Sequence, residues 1–142
     1  MALKPIGYVN NNINVPMKEG WEEVISELVL DEDLEEAAEG LEEFSHIMVI
    51  FWMHRVSTER STPKKLHPRG RRELPLVGLF ATHAPCRPNP LGVSVVRLLE
   101  RRGNVLKVKG LDTMDGTPIV DIKSYFPGHD AEATVPEWVK KL

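Results

Sequence analysis

A single cysteine, Cys86, is too little for an internal disulfide framework or for a cysteine-based zinc cluster within one chain. Long hydrophobic runs are missing as well. The longest, Ile47 to Met53, falls far short of the ~20 residues that a spanning helix needs. The start, Met1-Ala-Leu-Lys-Pro-Ile6, lacks the layout of a secretory signal, so a cytoplasmic protein is expected. Neither G-x-G-x-x-G nor G-x-x-x-x-G-K-[ST] occurs, and no β-α-β alternation is present to carry such a phosphate cradle, which argues against dinucleotide and P-loop chemistry. The histidines, His46, His54, His67, His83 and His129, show no ligand spacing, so no metal is expected. Bases are absent between Glu19 and Glu43, a stretch that holds twelve acids; Arg55 to Arg72, by contrast, holds seven bases against Glu59 alone. Charge so segregated makes a field of two faces, of which the basic one suits a polyanion.

What is present suffices for one core: 142 residues, 42% apolar, are read as a single domain, 1–142. Leu3 to Val9, with Pro5 early, reads as a short edge strand, and Asn10 to Asn12 as a turn. Val24 to Leu30 is β-branched-rich and fits a strand. Asp31 or Asp33 can cap a short helix over Leu34 to Ala38, with Gly40 as its stop. The apolar run from His46 to His54 is continuous rather than alternating, which predicts a central strand covered on both faces. Arg55 to Pro75 is polar and basic, without periodicity, and reads as a long loop that either works or is disordered. Val93 to Arg101, the Gly103-Asn104 turn and Val105 to Leu111 form a hairpin, and Ile119 to Ile122 a last short strand. Beyond Pro127 lies a tail that Trp138 could dock. The fold class is therefore all-β: a small barrel of six or seven short strands with one short helix.

The stretch Gly78 to Ser94 organises the rest. Gly78 to Thr82 reads as a buried strand; Pro85, Pro88 and Pro90 then fix φ and remove backbone donors, leaving a stiff connector that carries His83, Arg87 and Asn89. Such a loop is either a binding site on a rigid scaffold or a structural turn. Cys86, beside Arg87, could be an activated nucleophile, but the flanking prolines favour a small buried thiol. Asp115-Gly116 is a turn former, whereas Asp112 and Asp121 each border an apolar strand and must find a partner: a ribose, an amine or the loop arginine.

Three linked motifs carry a resemblance over about Pro5 to Tyr125. They are Phe44-Ser-His46 with the strand to His54; Gly78-Leu-Phe-Ala-Thr82 with Arg87-Pro-Asn-Pro-Leu-Gly92; and Leu111-Asp112 with Asp115-Gly-Thr-Pro-Ile-Val-Asp-Ile-Lys123. In this order they resemble the TrmO (TsaA-like) methyltransferases. The resemblance implies a non-Rossmann β-barrel, usually a homodimer, that uses S-adenosyl-L-methionine to methylate N6 of threonylcarbamoyladenosine beside the anticodon of tRNA. It assigns the cofactor to Pro16, Met17, Lys18, His54, Arg55, His83, Val93, Lys109, Gly110, Leu111 and Asp112. His54 and Asp112 are the candidate bases, since a ureido-like nitrogen is a poor nucleophile until its proton leaves. Arg87 and Asn89 are expected to brace the loop on backbone carbonyls. Arg60, Lys64, Lys65, Arg69, Arg71 and Arg72, without interleaved aromatics, would grip RNA phosphates rather than stack on bases. Two places depart from the family pattern: Pro16-Met17-Lys18 stands for Pro-Arg-Gln, and His83 for arginine. The C-terminal extension of longer members, expected to help hold tRNA, is not in this sequence.

Overall fold

The computed structural model describes residues 1–55, 62–128 and 130–142. It comprises two compact units, one built from Met1–His54 with Leu91–Tyr125, the other from Arg55–Pro90 with Phe126–Leu142.

The first unit is a closed antiparallel barrel. Its strands are β1 (Gly7–Asn10), β2 (Ile25–Leu30) and β3 (His46–Trp52); β4 (Lys65–Leu66) and β5 (Val77–Gly78) belong to the second unit, and the barrel resumes with β6 (Leu91–Arg102), β7 (Val105–Lys109) and β8 (Pro118–Ser124). Around the barrel the order is β1-β2-β7-β6-β3-β8, closing back on β1. Period-two alternation sets which side chains enter. Ser26, Leu28 and Leu30 of β2, Ile47, Val49 and Phe51 of β3, Leu106 and Val108 of β7, and Ile119 of β8 are all buried. Each aliphatic side chain so enclosed contributes about 1.5–3 kcal/mol. Glycine is required where the interior narrows: a Cβ on Gly92 of β6 would collide with the Phe51 ring across the β3–β6 pair.

The register fixes two mouths. Asn10 faces Glu27, Ile25 faces Lys109, Trp52 faces Leu91 and Phe51 faces Ile119. The ends of β1, β3 and β7 therefore share one mouth with the starts of β2, β6 and β8. At the other mouth Gly7 faces Leu30, Val29 faces Val105 and Ile47 faces Ser124.

The second unit holds the two-stranded β4–β5 sheet, pairing Lys65 with Gly78 and Leu66 with Val77, over buried Pro68, Leu74 and Leu79. An imidazole nitrogen of His67 lies 2.8 Å from the Leu74 carbonyl, and Arg71 Nη1 donates to the carbonyl of Lys141 at 2.6 Å. Trp138, in a 3-10 turn over Glu137–Lys141, is half-buried.

Several expectations are corrected. β1 is no edge strand: it pairs with both β2 and β8. The segment expected as a helix is a 3-10 stretch, Glu32–Ala38, with no side-chain cap from Asp31. β3 alternates, its outward Met48, Ile50 and Trp52 only half-buried rather than covered. β6 begins at Leu91 rather than Val93 and runs to Arg102, with a bulge between Leu98 and Glu100. The presumed loop to Pro75 contains β4 and a turn at Pro68–Gly70. Gly78 to Thr82 is strand only at Gly78, then a 3-10 turn over Leu79–Ala81 with Phe80 79% exposed. Cys86 is half-buried rather than enclosed.

Candidate functional site at one barrel mouth

Three connections meet at the mouth formed by the starts of β2, β6 and β8. The first, residues 11–24, joins β1 to β2. Asn11 pins it by donating from Nδ2 to Ser26 Oγ at 3.0 Å and to the Thr113 carbonyl at 2.9 Å, while its Oδ1 accepts from the Ile13 amide. Exposed Pro16, half-buried Met17 and exposed Lys18 lie along it, and Trp21 Nε1 donates to the Met17 carbonyl at 2.9 Å.

The second, residues 110–117, joins β7 to β8. Gly110 takes φ 95°, a left-handed turn that favours glycine, with its amide donating to the Val24 carbonyl. Leu111 is fully buried and anchors the segment. Asp112 is exposed, and its Oδ1 accepts from Ser94 Oγ at 2.8 Å. Thr113 and Thr117 pair hydroxyls at 2.9 Å, and Asp115 Oδ1 takes the Asn11 amide at 2.9 Å. The Asp-Gly step is thus a turn former tied to the first connection. Lys109, the last residue of β7, is paired with Glu23 at 3.1 Å.

The third is the exit from β3. His54 is exposed and follows Trp52 and Met53; its Nε2 lies 4.0 Å from where a Cβ on Gly116 would stand. Pro16, Met17, Lys18, His54, Lys109, Gly110, Leu111 and Asp112, far apart in the chain, therefore share one end of the barrel. Val93 is at the same end, but its side chain points outward, 60% exposed and paired with Ile50. Ser94, the next residue, takes the inward parity instead. Sequence reasoning overlooked Ser94 and Asn11; the period-two parity of β6, counted from buried Val96, is the signal that picks out Ser94.

The remaining candidates belong to the second unit. Arg55 and His83 are exposed, as are Lys64, Lys65, Arg69, Arg72 and Asn89. Arg60 lies outside the described residues. Arg71 spends its guanidinium on Glu73 at 2.6 Å and on the Lys141 carbonyl, and this ion pair holds the Glu73 carboxyl below the usual carboxylate range. Arg87 Nη1 donates to the carbonyls of Thr82 and Ala84 at 2.9 and 3.2 Å.

No group of three or more metal-ligating side chains occurs among the described residues, and no described helix is long and apolar enough to cross a membrane.

A closed six-stranded antiparallel barrel whose polar connections gather at one mouth defines a class of small β-barrel domains outside the doubly wound nucleotide-binding folds. The model of the tRNA-methyltransferase O N-terminal domain matches residues 8–131, and the chain belongs to that TrmO family. It is 36% identical to a probable S-adenosyl-L-methionine-binding protein of Pyrococcus abyssi, covering 99% of this chain and 77% of that one. It is 38% identical to another from Methanothermobacter thermautotrophicus, covering 92% and 94%. The crystal structure of TrmO from Pseudomonas aeruginosa superimposes with a TM-score of 0.73 at 33% identity, covering 96% of this chain; the chain spans 60% of that one.

Proposed function

We propose that this chain binds S-adenosyl-L-methionine at the mouth described above and methylates N6 of threonylcarbamoyladenosine next to the anticodon of tRNA. The observation that carries the reading is the meeting of three separate connections at one barrel end, each bearing residues that the family resemblance gives to the cofactor. The chemistry of the donor set fits such a ligand. Asp112, steadied by Ser94, offers a carboxylate to a ribose hydroxyl or an ammonium, and half-buried Met17 and Trp21 offer apolar surface to a nucleoside. When bound, the cofactor supplies an electrophilic methyl group. The protein's part is positioning and exclusion of water. In this reading His54, on the β3 exit beside Gly116, takes the proton from the ureido nitrogen, with Asp112, bonded to Ser94, the other candidate base.

Arg55 and His83, which the family resemblance also gives to the cofactor, belong to the second unit, as do Lys64, Lys65, Arg69 and Arg72 of the proposed phosphate-gripping set. Arg60, assigned to the same grip, is outside the described residues. The bonds of Arg71 to Glu73 and Lys141 favour a bracing role for it instead. A homodimer is part of the reading, supported by the apolar outer strip of Met48, Ile50, Val93 and Val95 on β3 and β6, in which Val95 is 46% exposed. His83, in place of the family's arginine, favours a second reading in which the same barrel serves another RNA or a small methyl acceptor, or binds without transfer. Methyl transfer to tRNA with and without the threonylcarbamoyl group decides: the proposal expects transfer only with it, and transfer to neither tRNA overturns it.

A further inference from the structure

We propose that Phe80 is a stacking platform for an unpaired base of the RNA, a role that rests on the tRNA reading above. Phe80 sits between two buried residues, Leu79 at 4% and Thr82 at 8% exposure, yet is itself 79% exposed. The turn that presents it is rigid: the Thr82 amide and hydroxyl both donate to the Leu79 carbonyl, at 3.0 and 2.7 Å. Arg87 lies against the ring, its guanidinium carbon 5.7 Å from the centroid. Because that guanidinium is also tied to the carbonyls of Thr82 and Ala84, the cation is fixed in place before any ligand arrives.

Phosphate-binding charge stands beside the ring in the same unit. The Leu79 amide donates to the Lys64 carbonyl at 3.0 Å, and Lys65 pairs with Gly78, so two exposed lysines flank the turn that carries Phe80. A rigid exposed aromatic next to backbone-gripping cations is the arrangement by which proteins hold splayed-out bases of single-stranded loops. The other purine at hand is the adenine of the cofactor, but that ligand is a cation without phosphates, and a platform backed by Arg87 and flanked by Lys64 and Lys65 suits an anionic polymer. The sequence placed no aromatic among these bases; the β4–β5 sheet does.

The test is binding of an anticodon stem-loop RNA carrying 2-aminopurine in the loop, with S-adenosylhomocysteine titrated separately. Phe80→Ala is expected to weaken RNA binding by about 5- to 150-fold and to abolish the fluorescence quenching of stacking. Its salt dependence and its affinity for S-adenosylhomocysteine stay at wild-type values, and Phe80→Trp restores binding. The double change Lys64→Ala and Lys65→Ala is expected to lower the log–log salt slope by about 1 to 2. RNA affinity unchanged in Phe80→Ala, or a loss of S-adenosylhomocysteine affinity instead, overturns the platform while leaving the methyltransferase reading intact. Failure of the wild-type protein to bind the RNA at all overturns both.

Discussion

At the end of the barrel where β2 runs into β3 and β6 turns into β7, the connections are tight or acid-laden and bonded shut; at the other end they are long, polar and only partly buried. The closed end carries Asp31 to Glu43. There Glu42 meets Arg101 through two bonds, at 2.8 and 3.1 Å, Arg101 also reaches the Gly103 carbonyl, and Asn104 Nδ2 donates to the Leu30 carbonyl at 2.7 Å. The guanidinium beside it draws the Glu42 carboxyl down to about 2. The open end presents His54 on the β3 exit, and Asp112, Met17 and Trp21 on two connections that Asn11 ties together. The same strands thus carry closely bonded connections at one end and partly exposed, polar ones at the other. Acids at the closed end also make that end unfavourable to a polyanion.

Both ends depend on one interior, so the largest expected effect is shared. Leu106→Ala, at a fully buried position, is expected to cost about 2–5 kcal/mol of stability, read by chemical denaturation. Retention of full stability would break the picture of a single packed barrel. Next comes Asp112→Ala, expected to weaken S-adenosylhomocysteine by about 10- to 150-fold, the worth of a hydrogen bond to a charged group, with little change in melting temperature. Ser94→Ala should cost about 5- to 10-fold in the same titration, since it removes only the brace on Asp112. Smallest is Glu42→Gln. The depressed carboxyl contributes stability that is fully present above its ordinary value of 4.5 and fades as pH falls toward about 2. The variant should therefore lose that acid-range dependence, and a little stability near neutrality, while cofactor affinity and transfer stay unchanged. Loss of transfer in Glu42→Gln would erase the contrast between the ends.

Much of this was legible in the chain. The β-branched run to Leu30 and the Gly103-Asn104 hairpin are local signals, and all three strands formed where they pointed. A barrel was expected from the many short strands, but which strands close it was not legible, because the pairing of Tyr8 with Pro118 joins residues far apart in the sequence and leaves no local pattern. The run Ile47 to Met53 hid its alternation, since its outward Met48 and Ile50 are as apolar as its inward Ile47 and Val49 and pair with Val95 and Val93 on the next strand. Phe80 was misplaced for a related reason: an apolar residue in an apolar run reads as buried until a 3-10 turn rotates it out. The motif residues of the open mouth were named from resemblance, whereas Ser94 and Asn11 needed the register. Charge made Arg71 a phosphate candidate in the sequence, whereas its partners, Glu73 and the Lys141 carbonyl, are visible only in the structure.

The most direct test is calorimetric titration of S-adenosylhomocysteine into the wild-type protein, Asp112→Ala and Glu42→Gln side by side. The account predicts one site per chain in the wild type, the same affinity in Glu42→Gln and a markedly weaker one in Asp112→Ala. No heat in the wild type, or equal losses from changes at the two ends, would contradict it.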